Sequence, residues 1–357
     1  MERTNSSYGN LLIVGGVLGI AGLAGVFFGH TSGQGNGFES YLFGFVFWMV
    51  LTIGCLALVV LKHATKGGWG NTGLRIWEAG SKNMPLMALL VIPIIFFGLK
   101  ELYPWMNQEL VAKDSVLQWK TKYLEQTWFI VRTVLYFASW ILIMTVLNRL
   151  SAKQDESGDN SLLGKRMTYA SVFAVLFVLT NTFAVTDWVM SLEKHWYSMI
   201  FGLLMTVSGA LAALCVALII LVNSYNKDAY KKFINFKTWR DYGNLLFTLL
   251  VLWTYMAFSQ FLITWSGNLP EEITYFLDRK EGVWEYIGIG IIFLHFLFPF
   301  LILLSSRVKR TPHMLGAVAA WILLMRVFET SWAVLPSFHR EGAQVTWMDA
   351  SAFIGIG

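Results

Sequence analysis

The chain has 357 residues, of which 56% are hydrophobic, 16% aromatic and only 14% charged, with a formal net charge of +5. Soluble domains carry roughly 25% charged residues, and a chain of this length has no core large enough to hide so much apolar surface, which excludes a soluble globular fold. The excess basic residues are scattered over separate short loops, which argues against nucleic-acid binding.

The first ten residues, MERTNSSYGN, are polar, and no signal-peptide cleavage site follows the first apolar run. A membrane crossing needs roughly 20 mainly apolar residues. Predicted spans fall at 11–28, 41–61, 84–103, 128–150, 167–188, 199–223, 242–266, 284–304 and 314–335. Residues 350–357, ASAFIGIG, read as the first turns of a tenth helix, so the polypeptide is expected to continue past Gly357. The predicted fold is an all-α integral membrane protein with nine complete transmembrane helices and the start of another. Cys55 and Cys215 lie inside apolar stretches, as small core residues. HATKGGWG at 63–70 is glycine-rich but is no Walker loop, and its glycines suit a tight turn. Pro93 and Pro299 fall within spans and should kink them.

Loop charge sets the orientation. The N-terminus and the loops after spans 2, 4, 6 and 8 hold 17 Lys and Arg, against 8 on the other side, while acidic residues divide 7 against 14. The positive side is expected to be cytoplasmic, with the N-terminus inside. Two outer loops are long. Residues 104–127 alternate charge with Trp105, Trp119 and Tyr123 and could lie flat on the membrane surface. Residues 268–283 carry Glu271, Glu272, Asp278 and Glu281, either as a solvated rim or as a docking surface for an extramembrane subunit.

Spans 5 and 9 resemble each other. Each places a His seven residues after a Trp, Trp188 with His195 and Trp332 with His339, and the two pairs are 144 residues apart. That offset suggests parallel repeats. The chain then divides into a first span and loop (1–40), a four-helix bundle (41–197), a second four-helix bundle (198–339), and an outer loop with the start of span 10 (340–357).

Ionisable groups inside spans are costly, so each marks a functional hypothesis. They are Arg132, Asp187, His295, Arg326 and Glu329. Arg326 and Glu329 share a helix face three residues apart. The simplest arrangement is a polar funnel opening outward and reaching the midplane at His295. Asn181, Thr180 and Thr182 lie at similar depth, and Thr254, Tyr255, Ser259 and Gln260 could extend it. Such a set could relay protons, or Arg326 and Glu329 could merely neutralise each other. Asp187 and Arg132, near the interface, could instead snorkel to headgroups. Only His295 lies deep, so a bis-histidine haem is not expected in this chain.

HATKGGWG after span 2, TDWVMSLEKHWYSMIFG at 186–202 and ETSW at 329–332 resemble the smaller of the two NrfD-type (polysulfide-reductase-type) membrane subunits of bacterial alternative complex III. The resemblance covers essentially the whole chain. It implies ten helices, arranged as two four-helix bundles plus a peripheral pair, in the bacterial inner membrane. It also implies a role in quinol:electron-acceptor oxidoreduction, through a proton-transfer path or a quinone-related site and by anchoring partner subunits, with no redox centre in this chain. Haem c and iron–sulfur clusters would sit in periplasmic partners, quinol would be the substrate of the complex, and a larger paralogous NrfD-type subunit and other small membrane subunits would be neighbours. The Thr186–Trp188 and Arg326–Glu329 neighbourhoods carry over as proton-transfer candidates. Two other readings stay open: a scaffold with a structural ion pair, and an independent secondary transporter. Pro93 and Pro299 are not in equivalent spans, which counts against the transporter.

Overall fold

In lipid no water is at hand to satisfy backbone amides, so each crossing must close its hydrogen bonds within a helix. The computed structural model describes residues 2–33, 35–65, 67–227, 233–340, 342 and 346–357, with side chains from residue 13 onward except 271. Lys66 and the side chain of Glu271 thus lie outside the described residues. No strand occurs among the described residues, and nine helices among them are long and apolar enough to cross a membrane. They are α1 (Glu2–Thr31), α2 (Gly37–Ala64), α3 (a composite over Leu74–Leu102), α4 (Gln126–Ser157) and α5 (Ser161–Trp188). They continue with α6 (Phe201–Ser224), α7 (Phe236–Gly267), α8 (a second composite, Val283–Leu304) and α9 (Pro312–Val334). A tenth helix, α10, runs from Trp347 to Ile356 and starts with a capping box between Thr346 and Asp349.

The helices overrun their apolar windows because polar end residues remain helical. Asn36 caps α2 by accepting from the Phe38 amide at 3.1 Å, and Gly158, at φ 65°, closes α4 in a left-handed turn. α3 begins ten residues before the predicted span, adding a polar turn with Arg75 and Glu78. Both predicted kinks coincide with changes of helical register. Pro93 immediately precedes a π turn at Ile94–Gly98, and Pro299 follows one at Ile291–Leu297. An α-helical Pro299 would leave the His295 carbonyl without its i+4 donor, so the chain loosens there.

α2 and α6 form the centre, each with 72% of its most apolar window buried. They cross with backbones touching: a Cβ on Gly54 would stand 1.9 Å from the Gly209 carbonyl oxygen. Small residues allow this approach, and close packing is the main force between helices once lipid surrounds them. α5 and α4 pack beside α2, while α9 and α7 pack beside α6. α1 and α10 pair at the periphery, where a Cβ on Gly22 would stand 2.5 Å from the Ser351 carbonyl oxygen. Trp48 fastens α10 to α2 by donating to the Phe353 carbonyl at 2.8 Å, and Ser40 donates to Asp349 at 2.7 Å.

The α2–α3, α4–α5, α6–α7 and α8–α9 connections form one end of the bundle, the basic pole. The remaining connections form the acidic pole. Residues 104–127 form an ordered cover at the acidic pole. They fold into a 3-10 turn and two short helices, Gln108–Lys113 and Ser115–Thr121, that bury Trp105 and Leu117 over the bundle end and leave Trp119 exposed.

Candidate functional site

Four helices, α6 to α9, converge on one buried polar cluster in their acidic-pole half. Glu329 lies about 26 Å along α9 from Pro312, at 1.5 Å per residue. Arg326 stands one turn earlier on the same face and forms an ion pair with Glu329. The carboxylate is held by two further helices. Trp253 of α7 donates its indole N–H to Glu329 Oε1 at 2.9 Å, and Ser208 of α6 donates its hydroxyl to the same oxygen at 3.1 Å. The fourth contributor is His295, in the π turn of α8, whose ring meets Trp253 edge-on with centroids 4.4 Å apart.

Every member of the cluster is buried, with Arg326 2% and His295 0% exposed. Both ring nitrogens of His295 lack a hydrogen-bond partner among the described residues. Buried polar atoms are nearly always paired, so an unpaired imidazole in the interior marks a place for a small polar guest or a moving proton. Trp253, Gln260 and Thr264, seven and four residues apart, lie on one buried stripe of α7 leading from the cluster toward the acidic pole. The Gln260 side-chain oxygen is also unpaired among the described residues.

The other predicted residues fall elsewhere. Asp187 and Arg132 do not snorkel. Asp187 is fully buried and takes a two-pronged ion pair from Arg132, with Nε at 2.8 Å and an Nη at 3.2 Å. Tyr136 donates its hydroxyl to Asp187 at 2.8 Å, and Arg132 lies over the Tyr123 ring at 3.9 Å. Thr186 is half-buried and donates back to the Thr182 carbonyl within α5. Asn181 ties α5 to α6 through the Thr206 hydroxyl at 2.5 Å, and Thr180 accepts from Trp140 at 3.0 Å. Tyr255 is 66% exposed on the outer face of α7 and joins neither group. The expected single funnel is therefore two separate buried charge clusters, one in each half of the chain.

A third buried pair closes the acidic pole. Arg279, in the connection read as a solvated rim or docking surface, is 2% exposed. It donates to the Trp332, Tyr275 and Ala333 carbonyls at 2.8–3.0 Å and to Glu193 at 3.0 Å, while stacking over Tyr275. Ser337 also donates to Glu193, at 2.9 Å. Positions 193 and 337 are 144 residues apart, so the two segments aligned by the sequence offset meet here. The offset does not align the charge clusters, since it places Ser331 on Asp187 and Val185 under Glu329. Lys120 adds its ammonium to the Glu193 and Trp196 carbonyls, and burial pulls its pKa down to about 8 against the opposing pull of Glu193 and Asp114. Asp114 lies 2.6 Å from His195. Burial works to raise its pKa, but the bond to His195 and the Leu117 and Val116 amides outweigh it and hold the carboxyl below its usual range.

Trp253, Ser208, Tyr136, Glu193 and Arg279 are the members that sequence reasoning did not single out. Among the described residues, no group of three or more His, Cys, Asp or Glu is placed to hold a metal ion. No family model matches the chain, and no curated protein matches its sequence.

Proposed function

We propose that this chain is a membrane component of a quinol-oxidising respiratory assembly, and that the Glu329 cluster transfers protons within it. The observation that carries the reading is a carboxylate deep in a membrane bundle, held by donors from two other helices, with an unpaired imidazole packed on one of those donors. Intramembrane ionisable groups facing a bundle interior commonly mark ion pathways and proton relays. Glu329 would accept and release the proton, Arg326 would balance the charge, and Trp253 and Ser208 would fix the carboxylate. His295 and the Gln260 stripe would continue the route. The resemblance of the 186–202 and 329–332 segments to the smaller NrfD-type membrane protein of alternative complex III supports the setting. In that setting the basic pole and N-terminus face the cytoplasm of a bacterium. Haem c and iron–sulfur subunits dock at the acidic pole, and a larger NrfD-type paralogue lies alongside. This chain then supplies proton transfer and anchoring, and its partners perform the electron transfer.

A second reading, a scaffold without transport, is favoured by the Arg326–Glu329 contact itself, since the pair can simply neutralise its own charge. Purification from the native membrane in mild detergent tests the setting. Co-purification of haem- and iron–sulfur-containing subunits with quinol oxidation activity is expected. A protein that purifies alone and transports a solute would overturn it.

A further inference from the structure

A cavity of about 540 Å³ opens at the basic pole, between the C-terminal end of α2, the glycine turn that follows, and the first two turns of α5. Its lining includes Lys62, His63, Asn71, Leu163, Gly164 and Arg166. Every charged or titratable residue lining it is basic, and no carboxylate among the described residues reaches the wall. Lys62 and Arg166 are each only 9% exposed.

Neither cation has a carboxylate within 4 Å among the described residues, although Glu78 and Asp155 act on Arg166 from farther away. Arg166 donates one Nη to the Ser151 hydroxyl at 3.1 Å, and its buried Nε has no partner there. Lys62 donates to the Gly67 carbonyl at 2.8 Å, which the positive φ of Gly67 (110°) turns toward it. The nearest acid, Glu78, pairs through one oxygen with Arg75, which also meets Asp155, and His63 stands 3.8 Å from its other oxygen. Buried guanidinium and ammonium groups without an anion are expensive.

We infer that this cavity binds a phosphate group, held between Lys62 and Arg166. A guanidinium with a free edge beside an ammonium offers donors to several oxygens of one phosphate group at once. Gly164 leaves the wall open, since a Cβ there would meet nothing within 4 Å. Leu163, Met167 and Leu74 give the cavity an apolar side. The phosphate therefore comes either from the head of an anionic glycerophospholipid or from free phosphate.

The test uses the full chain in phosphatidylcholine nanodiscs, titrated separately with phosphatidylglycerol and with inorganic phosphate, and read by native mass spectrometry. One equivalent should bind, and Arg166→Gln or Lys62→Gln should weaken binding roughly tenfold or more. Arg149→Gln, an exposed cation outside the cavity, should leave it unchanged. Gly164→Leu should block the site without altering charge, which keeps the test open if Arg166→Gln misfolds. Saturation by phosphatidylglycerol that phosphate does not displace identifies the lipid as the source, and saturable phosphate binding identifies the free anion. The inference is overturned if neither ligand binds in a one-to-one complex, or if the cavity variants bind as Arg149→Gln does.

Discussion

Replacing Glu329 with glutamine separates its charge from its shape. The amide oxygen can still accept from Trp253 and Ser208, but Arg326, 2% exposed, loses its only ion-pair partner among the described residues. Stranding one member of a buried pair costs about 3–5 kcal/mol, whereas replacing both with neutral groups of similar volume is often close to neutral. Glu329→Gln should therefore lower the unfolding free energy by about 3–5 kcal/mol, and Arg326→Met combined with Glu329→Gln should recover most of that loss. The assay is equilibrium unfolding of the four proteins of the cycle in bicelles, at one pH and one lipid composition. If Glu329→Gln alone is as stable as wild type, Arg326 is not stranded and the geometry of the pair is wrong. The double variant then becomes the useful reagent, because it removes the titratable carboxylate without unfolding the bundle.

Arg279→Met should destabilise the protein by about 3–5 kcal/mol by leaving Glu193 buried without its main partner, and Arg279→Lys should rescue little, since an ammonium cannot serve three carbonyls and a carboxylate in that fork; thermal unfolding of both variants checks this. Gly54→Val should push α2 from α6 at a cost of about 1–3 kcal/mol or more, seen as lost thermal stability and faster proteolysis. His339 accounts for a pH effect. Its bond to Glu39 at 2.9 Å raises its pKa above the usual value, with burial in opposition. The folded state then holds that proton more tightly than the unfolded chain, so the stabilisation is complete below about pH 6.5 and fades as pH climbs through the raised value. The stability gap between wild type and His339→Gln should shrink between about pH 6 and pH 9; a constant gap refutes the pairing.

The spans were legible because lipid imposes a length and a composition on every crossing, and the two prolines were legible as kink sites because each lacks a donor, whereas the π turns beside them were not. The charge clusters were legible only one residue at a time. Arg326 and Glu329 are neighbours on one helix, so spacing alone paired them. Arg132 and Asp187 are 55 residues apart, and an interfacial charge that snorkels looks the same in sequence as one that is buried. Trp253 and Ser208 read as ordinary residues of apolar helices, since nothing local says which face meets a carboxylate. Gln260, seven residues after Trp253, was a usable hint of that face. Tyr255 failed because adjacent helix positions point about 100° apart, which puts it outside while Trp253 lies within. Arg279 was hidden by its loop, although Tyr275 four residues earlier was a signal for an arginine that stacks on a nearby ring.

The most direct test of the central claim is proton movement per quinol oxidised, measured in proteoliposomes of the intact assembly. The comparison is wild type against Arg326→Met with Glu329→Gln. The double variant should assemble and oxidise quinol while losing coupled proton movement. Unchanged proton movement in a fully assembled double variant would contradict the account and leave the cluster as a structural ion pair.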